Sequence, residues 1–226
     1  MKIQLAILTA LMSIGLSADG ASVYGFDLTN SFIPVGQIAS GGPGRDGIPS
    51  IDNPRFVTAS DVDYLKEDDS VLSVTLAGEP RAYPLRILVW HEIVNDRIGN
   101  QSFMVTYCPL CATALVFSRE FGGKVLEFGV SGLLYQSDVL MYDRQTESLW
   151  TQLGMQAISG PMAETSLRWM PSEQMTWAQW KKTYPRGQVL STETGFNRNY
   201  SGTAYASYHE SPKTMFPVPR HRTELK

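Results

Sequence analysis

The chemistry of this chain gathers at VTYCPLCATAL, residues 105–115, which holds its only two cysteines, Cys108 and Cys111. Two residues between the sulfurs let both thiolates converge on one ion, or let one thiolate be stabilised by its neighbour, and Pro109 stiffens the intervening turn. Three uses follow from that spacing: a thiol/disulfide redox couple, a soft-metal site, or a local disulfide that staples a tight turn. A closed structural zinc clip needs four Cys or His ligands, and the chain has no second cysteine pair. An open site remains, in which two thiolates and one imidazole would take copper as Cu(I), or zinc with a water. Of the three histidines, His209 and His221 lie in the polar tail, whereas His91 sits in the apolar stretch LVWHEIV just upstream of the cysteines. His91 is therefore the expected third ligand, or the group that tunes a thiolate. The competing reading is a buried histidine bonded to backbone. Glu92 beside it could orient the ring or act as a base, but adjacent residues seldom point the same way.

The elements around the pair argue against a thioredoxin-like arrangement. There the first cysteine opens a helix whose dipole lowers its pKa. Here CATALVFSREFGG carries β-branched and aromatic residues and soon ends in a glycine pair, the pattern of a strand. With no histidine after Cys111, the pair is also not a c-type haem attachment motif.

Short strand patterns recur through the chain: VLSVTL and RAYPL around a turn at Ala77, Gly78 and Glu79, then SFMVTY, TALVF, KVLEFGV and DVLMYDR. Helical patterns are few: TASDVDYLKED with Thr58 or Ser60 as cap, LRILVWHEIV, and SEQMTWAQWKKTYP with Ser172 as cap and Trp177 and Trp180 on one face. That Trp pair reads as core. The segment GGPGRDGIPSIDNP, residues 41–54, is too rich in Gly, Pro and Asp for a regular element and is expected to be a surface loop. The expected class is α+β and β-rich, mostly antiparallel short strands with a few short helices.

The opening MKIQLAILTALMSIGLSADGAS has one lysine, an apolar run and small residues, the layout of a signal peptide over residues 1–21. Residues 22–226 then form one exported domain, periplasmic or secreted, with no membrane span once the signal is removed. A formal charge of −3, with lysines and arginines scattered singly, excludes a nucleic-acid partner. In an oxidising compartment two free thiols need a metal or a reductant to keep them, so a metal donor or a periplasmic redox partner is implied.

A second polar cluster lies in FGVSGLLYQSDVLMYDRQTESLW, where Ser131, Ser137, Asp138 and Asp143 stand among apolar residues. The stretch is not a nucleophile elbow, because the Gly-x-Ser-x-Gly pattern fails at Leu133. Ser131 reads first as part of a turn, to which Gly129 and Gly132 lend backbone freedom.

The succession RAYPLRILVWHEIVND, VTYCPLCATALVF and FGVSGLLYQSDVLMYDRQTESLW resembles the bacterial family DUF3179, a family of unknown function, over roughly residues 46–221. The resemblance implies a shared pattern at Tyr83, Pro84, His91, Cys108, Pro109, Cys111, Ser131, Gly132, Ser137, Asp138, Asp143 and Trp150. It supplies no activity. One departure matters: where the family usually has glycine after the second cysteine, this chain has Ala112, which would be restricted if that position needs a positive φ. The resemblance also leads to the expectation that the C-terminal piece is short. Cys108, Cys111 and His91 are the expected catalytic or metal-ligating residues, and Tyr83, Ser131, Ser137 and Asp138 the expected binding residues. Three functions stay open on the sequence: a thiol site binding copper or zinc or cycling between dithiol and disulfide, a small-ligand-binding module, and a scaffold with a structural disulfide.

Overall fold

The computed structural model describes residues 22–201, 204–213, 215–216 and 218. The signal-peptide segment, residues 1–21, and His221 lie outside the described residues. Strand accounts for 41% and helix for 10%, so the architecture is β-rich rather than a balanced α+β mixture. No helix among the described residues is long and apolar enough to cross a membrane.

The middle of the molecule is a four-stranded antiparallel sheet ordered Trp169–Met170, Thr113–Ser118, Gln101–Cys108, Ile93–Ile98. It is covered on both faces, and the period of two along its strands sorts the side chains. From Gln101–Cys108, Phe103, Val105 and Tyr107 pack with Leu72, Val74 and Tyr83 of a second sheet. Met104 and Cys108 turn the other way, to Phe128, Val130, Val139, Met141 and Trp150 of a third. The parity of this one strand thus aims Cys108 into the layer shared with the third sheet.

The second sheet runs Glu173–Thr176, Ser70–Leu76, Glu79–Pro84, Gln188–Leu190, Phe56–Thr58, and one pair, Gln188–Leu190 with Glu79–Pro84, is parallel. Its outer face is closed by the helix Trp177–Thr183, whose Trp177 and Trp180 stack at 5.7 Å in the core. That helix starts later than the sequence suggested. Its cap is Thr176, in a reciprocal capping box with Gln179, and not Ser172, because residues 173–176 are taken up in edge pairing with Ser70–Leu76. The stretch LRILVWHEIV is likewise helical only over Leu85–Leu88, and TASDVDYLKED only as a short 3₁₀ turn at Ala59–Asp61.

The third sheet runs Gln156–Ser159, Leu149–Thr151, Asp138–Asp143, Phe128–Tyr135, Ile38–Ser40. A bulge between Val130 and Leu133 bends Phe128–Tyr135 at Ser131 and Gly132. The 41–54 loop presses onto that bulge: Gly132 has φ +77°, and a Cβ there would lie 2.3 Å from the Pro43 carbonyl oxygen. Only glycine fits.

Candidate metal and thiol centre

Cys108 ends one strand and Thr113 begins the next, so Pro109, Leu110, Cys111 and Ala112 form the hairpin loop between them. The strand reading of TALVF holds, and no helix follows Cys111. Ala112 closes the loop with φ +51°, the left-handed conformation in which a Cβ is unfavourable. Opposite this loop is another tight turn. Tyr135 pairs with Asp138 across Gln136 and Ser137, both with positive φ, the two-residue hairpin connection that ordinarily prefers Asn-Gly. Two strained loops therefore face each other, one carrying the thiols and the other Asp138.

The cysteines are free and lie 3.3 Å apart. Among the described residues one carboxylate joins them: ligand atoms of Cys108, Cys111 and Asp138 all fall within 4.8 Å of one another. Cys111 Sγ lies 3.6 Å from Asp138 Oδ1, and Asp138 Oδ2 accepts a hydrogen bond from the Leu153 N–H at 2.9 Å. Cys108 is 1% exposed, whereas Cys111 is only partly buried. The pair divides its acidity accordingly. The hydrogen bond that Cys108 gives Cys111, together with burial, raises the Cys108 thiol, and the same hydrogen bond lowers Cys111. Cys111 carries the more available sulfur. Burial also raises Asp138.

Glu92 completes the group. It is 6% exposed, and burial, reinforced by Asp138 and Cys111, pushes its carboxyl up to about 8. Two further polar atoms near these loops, Ser137 Oγ and Gln152 Oε1, are buried without a hydrogen-bond partner. Gln152 is held by its amide donors, which bond Thr106 Oγ1 and the Thr113 carbonyl. Buried polar atoms left unpaired mark a place where a polar ligand gains binding energy.

His91 does not join the sulfurs. Its Nδ1 bonds the Pro49 carbonyl at 2.8 Å and its Nε2 bonds Tyr200 Oη at 2.6 Å, while its ring packs against Phe196. Both nitrogens are thus engaged away from the centre, and burial lowers the ring's pKa. The carbonyl requires a donor, so Nδ1 carries the proton and Nε2 accepts from Tyr200. The third place expected for His91 is taken by Asp138. Of the remaining expected binding residues, Tyr83 is buried between the second and middle sheets, where its hydroxyl donates to Asp96 beside Arg81. Ser131 donates to the Leu140 carbonyl within the bulge. Ser137 contributes its carbonyl, 3.9 Å from Cys108 Sγ. Asp143 is consumed by Thr146 and the Trp150 indole. Glu92 carried a signal that sequence reasoning underused: if neighbours diverge, a structural His91 sends Glu92 toward the thiols.

A model of the family described as "Protein of unknown function (DUF3179)" matches residues 45–226. The chain belongs to this family. No curated protein and no solved structure matches it.

Proposed function

We propose that this protein is an exported metal-binding protein whose centre is built from the Cys108 and Cys111 thiolates and the Asp138 carboxylate around one zinc ion, with the fourth position open. The observation that carries this reading is the convergence of three ligand atoms from two facing hairpin loops. The sulfur separation supports it. Two bonds of roughly 2.3 Å at a tetrahedral angle place sulfurs about 3.8 Å apart, whereas a disulfide requires about 2.05 Å. The observed 3.3 Å is nearer the former. The carboxylate decides between metals: a hard oxygen in place of the expected imidazole suits zinc better than Cu(I). Three protein ligands with one place left is the layout of zinc sites that bind or activate a further molecule. Export, read from the N-terminal sequence, adds a reason for the metal, since free thiols in an oxidising compartment are otherwise lost to disulfide.

The test is metal analysis of full-length protein purified under anaerobic conditions, with Cys108→Ser alongside. About one zinc per chain, absent from the variant, is the expected result. Metal-free protein with two titratable thiols after zinc addition would refute the centre. It would favour a dithiol couple, for which the free sulfurs 3.3 Å apart and the partly exposed Cys111 are the supporting geometry. In that couple the two thiols give two electrons and two protons to a partner disulfide, which leaves as two thiols.

A further inference from the structure

Beside the centre lies a small cavity of about 50 Å³. Four of its wall residues tie it to the ligands. Leu110 stands between the two cysteines, Val139 follows Asp138, Glu92 is the buried acid of the centre, and Tyr205 belongs to the segment whose Tyr208 and His209 bond the cysteine loop. Its outer wall comes from the C-terminal segment, through Met215 and Phe216.

That segment is fastened to the cysteine loop itself. The Tyr208 hydroxyl donates to the Leu110 carbonyl at 3.0 Å, and His209 Nε2 bonds the Pro109 carbonyl at 2.8 Å. The two carbonyls between the cysteines are thus taken by the short helix Ala206–His209. The chain just beyond it reaches the mouth of the cavity. Loop and tail form one wall.

We infer that this cavity is the ligand pocket of the centre and that its ligand is a small, electrically neutral Lewis base with an apolar body, admitted past Met215 and Phe216. The inference rests on the zinc reading above and names the class of molecule that fills the open position. Charge selects against anions: two thiolates and a carboxylate around a dication leave the centre one unit negative, and Glu92 can only add to that. Cations are excluded by valence rather than by charge, because a cation offers no lone pair to the open position. Size limits the body. A water needs about 10–15 Å³ of such space, so the cavity takes roughly four water-sized groups.

Cobalt(II) in place of zinc makes both readings visible, because thiolate-to-cobalt absorption reports the ligands and the d–d bands report the fourth position. Full-length metal-free protein is loaded with one equivalent of cobalt and titrated with pyrazole, 4-propylpyrazole and azide. Pyrazole is expected to shift the d–d bands at a concentration at least tenfold below azide, and 4-propylpyrazole to bind poorly. Phe216→Ala opens the outer wall and is expected to improve 4-propylpyrazole at least fivefold while the thiolate bands stay unchanged. Met215→Ala, at a side chain 56% exposed, removes wall at little risk to folding and should act in the same direction. Azide binding as tightly as pyrazole, or unchanged size selectivity in both variants, overturns the pocket while leaving the metal centre standing. Absence of thiolate-to-cobalt absorption overturns both.

Discussion

His91 and Glu92 are neighbours in the chain, yet they serve opposite sides of the middle sheet and two regions with opposite character. On the His91 side the histidine and its hydroxyl partners form a closed chain of hydrogen bonds. The ring is bonded at both nitrogens, and Tyr200 in turn exchanges a hydrogen bond with Thr194 at 2.5 Å. On the Glu92 side, polar and sulfur groups are crowded, buried and incompletely paired, and the backbone is strained. Glu92, Ala112, Gln136 and Ser137 all hold a positive φ without being glycine. Satisfied polar clusters serve the fold, whereas strain and unpaired groups persist where a ligand or a reaction rewards them. Rarity of a residue type, which favoured His91, is the weaker guide.

The largest contrast comes from deleting a member of each region. Cys111→Ser is expected to lower zinc affinity by more than about 100-fold, since it removes a direct ligand where even outer-shell partners cost 10–100-fold. His91→Leu is expected to leave zinc stoichiometry and affinity unchanged. Competition with a chromophoric chelator measures both. A large loss of affinity in His91→Leu would break the division between the two sides.

Acidity sharpens the same contrast in the metal-free protein. The Glu92 carboxyl is raised from an ordinary value near 4.5 to about 8 by burial, with Asp138 and Cys111 adding repulsion. Between those values the native state holds a proton that the unfolded state has released. Stability contributed by this group therefore falls as pH rises from about 4.5 to about 8 and is level outside that window. Glu92→Gln should remove that slope and stabilise the metal-free protein at pH 8 by a few kcal/mol at most, with little gain at pH 4. Tyr205, Asp138 and Cys111 face the same space, so the slope must be read as a difference between variant and parent across pH. Parallel denaturation curves at every pH would show that Glu92 is not the buried acid.

The fold was legible wherever a local pattern decided the element. TALVF announces a strand by its branched and aromatic residues, and Trp177 with Trp180 announces a buried helical face. The turn expected at Ala77, Gly78 and Glu79 is present but tighter: Ala77 and Gly78, both at positive φ, make a two-residue connection, and Glu79 already pairs with Leu76. Helix boundaries were less legible because pairing with distant strands overrode local propensity, as when residues 173–176 joined Ser70–Leu76. For the site, the cysteine pair was visible from spacing alone. Asp138 was visible only as one polar residue of a cluster, because a hairpin contributes it from 27 residues downstream of Cys111. No periodicity states which of several acidic residues such a register will deliver.

On the His91 side the expected cost is one of folding. His91→Leu leaves the Pro49 carbonyl and one side of the Tyr200 hydroxyl unpaired in a buried setting, a loss of about 2 kcal/mol. Chemical denaturation of the metal-free protein measures it. Cys111→Ser, by contrast, puts a hydroxyl where the thiol's weak contacts to Cys108 and Asp138 stood, and should change metal-free stability by less than about 1 kcal/mol. Equal losses in the two variants would mean that the thiols hold the fold together as firmly as the histidine does.

The smallest effect tests the strain itself. Ala112 closes the cysteine loop at φ +51°, where its Cβ crowds the following carbonyl and costs roughly 1–2 kcal/mol. Glycine removes that crowding but gives the unfolded chain more freedom, which returns about 0.4–1 kcal/mol. Ala112→Gly is therefore expected to stabilise the protein by about 0.5–1 kcal/mol, a small rise in Tm. The direction is informative beyond its size. Alanine makes the Cys108–Cys111 loop stiffer than glycine would, so the substitution should also loosen the preset spacing of the two sulfurs. If that stiffness serves metal binding, Ala112→Gly gains stability and loses a little zinc affinity together. A variant that gains stability with affinity unchanged would leave the strain at Ala112 with no part in holding the sulfurs. Loss of stability would mean that the loop is not held in the left-handed conformation.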